Sequence, residues 1–434
     1  MLHDPSHKPV IPEQKEIVLS SKDKDVLKTL GYKIAEISAD PQNSINARNW
    51  QLLNDKKTVK PMVWINEVPW HEMNVNDELT LQCEHPWARN LEDELRRTIY
   101  QWKHFRGDMV VSPYISCPLA LHSTDFGIVE DVDIVKTDEK NDIYSRRFKI
   151  QIEEPEDIDK IQMPKITHFE KATEYSYQAM QQVFDGIIPV KKVGQTHIWY
   201  TPWDFLIRWW GVQEAIMDLI VRPDMVHDIY ERMVQAWMTE LDQFEEQNLL
   251  SLDCNNTRIG SGGYGYTSEL PGEDYDPEHV LAKNMWGCSN AQIFSTVSPE
   301  MHWEFAIEHD LKWLKRFGLT YYGCCEPLGQ KMDVLRRIPN LRKVSVSPWN
   351  NSEKTIEAIG SDYVMSRKPN PAIVTWDVFN EKQAEHELRE FMDLTDDSMH
   401  VELIFKDIST VRNDPKRLWK WAEIASRVAE DYAK

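Results

Sequence analysis

The chain has 434 residues, 41% of them hydrophobic, enough to bury a sizeable core as one elaborated barrel or two ordinary domains. Its 71 acidic against 50 basic residues give a formal net charge of -21, which repels polyphosphate and argues against nucleic acid as a partner. No run of about eighteen apolar residues occurs, no basic-then-apolar leader opens the chain, and six unevenly spread cysteines suit a reducing compartment. A cytoplasmic protein that does not span a membrane is expected.

Residues 1–20 are polar and read as an arm, and Lys22–Lys57 carries helical periodicity broken by a turn at Asp40-Pro41. Residues 1–58 are thus an N-terminal arm and helices before a domain over 59–434. Short apolar or β-branched runs follow at Met62–Asn66, Val110–Ile115, Thr196–Tyr200, Leu250–Cys254, Thr320–Cys324, Val344–Ser347, Tyr363–Ser366 and Val401–Phe405. Amphipathic stretches such as Val212–Asn248 and Pro299–Phe317 lie between them, and strands alternating with helices argue for a parallel sheet covered on both faces. Eight such units predict an α/β fold, a (β/α)8 TIM barrel with an N-terminal helical extension. Two excursions depart from the repeat. Residues 67–185 include a charged stretch whose SRRFKIQIEE alternation reads as an added hairpin, and residues 255–290 include the glycine-rich GSGGYGY at 260–266. The latter lacks the Lys-Ser/Thr ending of a phosphate loop, so a flexible hinge or lid is expected.

In a barrel the chemistry lies at the C-terminal ends of the strands. Tyr321-Tyr322-Gly323-Cys324-Cys325-Glu326-Pro327 sits there. Strand alternation predicts Cys324 and Glu326 on one face and Cys325 on the other, a thiolate and a carboxylate that could form half of a zinc site or simply pack with a salt bridge. Adjacent Cys324 and Cys325 do not easily form a relaxed disulfide. Asp407, Cys288 and His197 are further strand-end candidates; a lone His beside aromatic residues is more often a satisfied core group, and Asp407 could equally pair Arg412 or Lys406.

The stretch from Thr201-Pro202-Trp203-Asp204 through Met217-Asp218-Leu219 to Arg222-Pro223-Asp224-Met225, with Ser298-Pro299-Glu300-Met301, resembles the uroporphyrinogen decarboxylase superfamily. The block Tyr321–Asn350, with Lys406–Pro415, is most similar to its corrinoid-dependent methyltransferase branch, which includes substrate methyltransferases of O-demethylase systems. That branch binds zinc through a His-x-Cys motif and a later Cys. In ungapped register Cys324 and Glu326 fall on the motif and Asp407 on the second Cys, which implies a variant zinc site of Cys324, Glu326 and Asp407, all three catalytic. The resemblance further implies a methyl group moved from a small methylated molecule, an aromatic methyl ether first, to the Co(I) corrinoid of a partner protein. The metal would polarise the leaving oxygen, and the corrinoid must come from the partner because no Asp-x-His-x-x-Gly segment occurs. Substrate-binding residues are expected among His197, Trp199, Tyr200, Trp203, Cys288 and Tyr322. The alternatives are a methylamine caged by aromatic rings, a decarboxylase, against which Met62–Asn66 lacks an Arg-rich segment, and a non-catalytic subunit that docks a corrinoid protein.

Overall fold

The computed structural model describes residues 8–135 and 145–433. Within them the strands are β1 (Met62–Ile65), β2 (Ile115–Pro118), β3 (Leu121–Ser123), β4 (Val132–Val135), β5 (Ser145–Phe148), β6 (Ile166–His168), β7 (Val190–Val193), β8 (Trp286–Ser289), β9 (Leu319–Tyr322), β10 (Leu341–Val346), β11 (Val364–Arg367) and β12 (His400–Phe405). Two capped helices precede them. The Ser20 hydroxyl accepts from Asp23 N–H at the start of Ser21–Ser38, and the Asp40 carboxylate caps Pro41–Asn54, whose proline stands where no N–H is needed.

Six strands form one parallel sheet in the order β1-β12-β11-β10-β9-β8, a second parallel pair joins β2 to β7, and β4 and β5 pair antiparallel where the charge alternation predicts an added hairpin, residues 136–144 lying outside the described residues. Among the described residues no ladder closes the sheet into the eight-stranded barrel expected from the sequence. The expected strand at Thr196–Tyr200 is displaced upstream to β7, and Leu250–Cys254 contributes only a parallel bridge between Leu250 and Gln195. Trp286–Ser289, placed by sequence in an excursion, is instead a buried strand of the main sheet. Side chains stitch the gaps between the ladders. The Asp108 carboxylate accepts Val63 N–H at 2.7 Å while Asp108 N–H donates to Val63 carbonyl, and Asp253 accepts Trp286 N–H at 3.0 Å. Each buried carboxylate does the work of a missing strand neighbour.

Two-residue alternation divides the sheet. On its outer face Tyr322 donates to or accepts from His302 at 2.7 Å, Ser289 donates to Asp310, and Phe405 stacks on Trp421 of helix Lys416–Asp431. The inner face carries Trp64, Trp286, Tyr321, Lys343 and Glu402, and the glycine-rich loop lies against it. Lys343 Nζ and the Trp286 indole donate to the Tyr264 and Gly265 carbonyls, and Gly263 N–H donates to Glu402. A Cβ on Gly263 would stand 2.4 Å from the Trp50 ring, so only glycine permits this approach. The loop is therefore a buried plug, not the expected hinge or lid. Beneath it Lys343 and Glu402 pair at 2.9 Å with no solvent exposure. Among the described residues no helix is long and apolar enough to cross a membrane.

Candidate functional site

All five ladders of the six-stranded main sheet are parallel, so β1, β8, β9, β11 and β12 deliver their next residues to one edge. Inward parity continues past the strands: Glu402, Ile404 and Lys406 share a face, as do Ser366 and Lys368, and Cys288 and Asn290. The edge thereby gathers Lys406, Lys368 and Asn290, with Cys324 at the turn after β9 and Glu67 after β1.

Lys406 is the hub. Its Nζ lies 2.7 Å from Asp407 Oδ2, 3.5 Å from Glu67 Oε2 and 3.6 Å from Cys324 Sγ, and its side chain is 4% exposed. Arg258, at the foot of the plug, holds Glu67 at 2.8 Å. Glu67 and Asp407 both adopt left-handed backbone conformations, at φ 51° and 58°, and Asp407 N–H donates to Glu67. Such backbone costs an L residue about 1 kcal/mol or more and turns both carboxylates onto the same ammonium. Cys324 is held below the usual thiol range by the Cys325 hydrogen bond, against burial, with Lys406 assisting. Burial opposes the charge on Lys406, but the Cys324 thiolate and Glu67 outweigh it and keep the ammonium protonated.

Lys368 has the opposite balance. It is 3% exposed, donates to the Tyr321 hydroxyl and to Ser366 Oγ at 2.8 Å, and burial lowers it to about 7. Tyr321 in turn meets Ser261 of the plug at 2.9 Å. The site thus has one permanently charged lysine and one that changes charge near neutrality.

The expected zinc ligands do not fit a metal. Gly323, at φ 97°, ends the extended backbone before Cys324, so strand alternation no longer governs the residues beyond it. Glu326 accordingly turns from the thiol and accepts the backbone N–H of Cys324 at 2.8 Å and of Ala291 at 3.1 Å, clamping the ends of β8 and β9. Cys325, expected on the opposite face, returns to place its Sγ 3.6 Å from that of Cys324 and 3.7 Å from Asp407 Oδ2. The position beside the Cys324 sulfur that a cation would take is held by Lys406. Among the described residues no three His, Cys, Asp or Glu side chains could hold a metal ion together.

Most of the expected substrate-binding residues are interior. Tyr200 donates to Asp310 at 2.8 Å and stacks on Trp313, Trp203 donates to the Phe305 carbonyl, and Cys288 faces the Ile198 carbonyl. Tyr322 is fully buried against His302. These four are corrections: aromatic content and strand position are shared by core and pocket, and here dense packing takes them. His197 accepts Gly260 N–H at Nε2, 2.8 Å away, and its Nδ1 lies 3.2 Å from the Trp286 carbonyl, which makes it an anchor for the plug. Trp199 is half-buried, packed on the cluster of Ile259, Trp286 and Tyr321.

The sequence reading passed over Lys368, Arg258 and Glu67, and weighed Lys406 only as a salt-bridge partner of Asp407. The usable signal was parity: a lysine two residues beyond an inward strand position follows the wall into the site. At the end of β8, Asn290 is 1% exposed and its amide faces Asp204, whose carboxyl burial raises to about 6. A groove of about 1350 Å³ opens elsewhere, past Glu94, Val110, Ser112, Gln195, Leu250 and Asn256. None of its lining comes from β8–β12, and it gathers no set of groups like that at the sheet edge.

No family model matches the sequence, and no curated protein matches it. Among solved structures, the chain is similar to a methyltransferase from Methanosarcina mazei with a TM-score of 0.50 and 11% identity, over 89% of this chain and 99% of that one. That likeness is one of fold.

Proposed function

We propose that the chain is a methyltransferase that takes a methyl group from a small methylated molecule, an aromatic methyl ether first, and passes it to the Co(I) corrinoid of a partner protein. The observation that carries this reading is the convergence of Lys368, Lys406 and Cys324 on the C-terminal edge of the parallel sheet. Moving a methyl group off oxygen leaves an anion, and the site supplies a proton and positive charge for it. Lys368, at about 7, is half protonated near neutrality and serves as the acid for the departing oxygen. Lys406 and Arg258, paired with Glu67 and Asp407, hold N–H donors in a partly dry setting, where a hydrogen bond to a developing anion acts more strongly than in water. No step passes through zinc, whose expected ligands are otherwise engaged.

A reduced corrinoid supplies the electron pair that takes the methyl group. The loops leaving β10 and β11 give its carrier an apolar rim to meet, with Trp349 70% and Trp376 45% exposed. The fold likeness to a methyltransferase from Methanosarcina mazei supports this reading.

The test is incubation of the full chain with a reduced corrinoid protein and a panel of methoxyarenes and methylamines, following methyl-Co(III) absorbance. Methylation by a methoxyarene that is lost in Lys368→Met supports the reading. A panel in which no member methylates the corrinoid overturns it, and methylation by amines alone replaces the ether with an amine donor.

A further inference from the structure

We propose that Cys324 and Cys325 form a chelating dithiol site for a neutral trivalent arsenic species, such as a monosubstituted arsenous acid. The inference stands on the geometry of the two sulfurs and does not depend on methyl transfer.

Three features select this ligand class. The first is spacing. The two Sγ atoms lie 3.6 Å apart on adjacent residues, whereas a disulfide would need about 2 Å, so direct oxidation must draw the pair together by nearly half. A three-coordinate thiophilic atom placed between them bonds both sulfurs with little movement. The second is charge. Lys406 Nζ stands 3.6 Å from Cys324 Sγ, and Arg258 is tied to the same network through Glu67, so a soft metal cation meets positive charge at the sulfur while an uncharged arsenous acid does not. The third is access and isolation. Cys325 is half-buried at the mouth, whereas Cys83, Cys117 and Cys288 are buried, leaving Cys254 as the other partly accessible thiol.

The step balances without an oxidant. Two As–O bonds break and two As–S bonds form, and arsenic stays trivalent. Both hydroxyls leave as water, one with the Cys325 proton, which Asp407 Oδ2 at 3.7 Å is placed to relay, and one with a proton from solvent, so that Lys406 keeps its charge. Tethering both sulfurs to one chain gives the second bond an effective concentration of about millimolar or higher.

The experiment is native mass spectrometry of the full chain titrated with phenylarsine oxide, followed by challenge with 2-mercaptoethanol and then with dithiothreitol. The expected result is one phenylarsenic per chain, formed with loss of one water from the oxide, resistant to the monothiol and released by the dithiol. Cys325→Ser is expected to release its adduct at roughly tenfold less monothiol or lower, because chelation is lost. In the wild-type chain the adduct also protects both thiols from iodoacetamide, a readout that needs no variant to fold. An adduct that maps to Cys254, one that persists in C324S/C325S, or a wild-type chain that binds none although both thiols alkylate would each overturn the proposal.

Discussion

The two flanks of the sheet are held together by different means. From β8 to β1 every strand is bonded to its neighbours by backbone ladders, while the flank carrying β2 and β7 meets the sheet without a ladder, through Asp108, Asp253 and His197. The reactive groups stand on the laddered flank and the large groove on the stitched one. A ladder fixes the spacing of successive strand ends, which is what a site built from β1, β9, β11 and β12 needs. A flank tied by a few carboxylates leaves room between its elements instead.

The largest expected effect belongs to the laddered flank. Lys368→Met is expected to lower methyl transfer by about 10²- to 10⁴-fold, the usual contribution of a positioned acid, measured as the rate of methyl-Co(III) formation. Its pH behaviour sharpens the assignment. An unfolded lysine titrates near about 10.4, and Lys368 in the fold titrates at about 7. Between those values the unfolded chain binds a proton the fold does not, so this group makes stability rise with pH across that window, with its penalty complete below pH 7. The rate moves the other way and falls as pH climbs through about 7. A profile flat from pH 6 to 9 would remove Lys368 from the acid role.

Next in size is Glu402→Gln, which leaves Lys343 buried beneath the plug without its counter-ion and is expected to lower unfolding free energy by about 3–5 kcal/mol in urea. Asp253→Asn tests the stitched flank. It weakens a charge-assisted bond to Trp286 N–H and is expected to cost about 1–3 kcal/mol, with faster amide exchange confined to residues near 249–257 and 286. Equal losses from the two substitutions, or exchange spreading to β10–β12, would erase the distinction between the flanks. The smallest effect on stability, within about 0.5 kcal/mol, is expected for Trp349→Ala at the rim; its signature is a raised KM for the corrinoid protein with unchanged urea unfolding.

Strands with strong apolar or β-branched runs were legible in the sequence: β1, β9, β10, β11 and β12 each overlap their expected segment. Trp286-Gly287-Cys288-Ser289 was not, because glycine, cysteine and serine carry little strand preference and its place is set by tertiary contacts on both faces. The position of Cys324 and Asp407 at the strand ends was legible too. Their partners were not, since side-chain direction beyond a strand depends on one backbone angle, here the φ of Gly323. The glycine-rich loop misled for a related reason. Glycine marks both freedom of the chain and the closest packing, and only the neighbours, Trp50 and Tyr321 among them, show which applies.

That plug has a consequence for substrate range. With the inner face of the sheet covered by the protein's own backbone, Lys368, Lys406 and Cys324 are confined to the sheet's edge. On the proposed reaction, selectivity among methylated molecules would fall to the rim loops that carry Trp349 and Trp376, and exchanging those loops is the direct way to retune it.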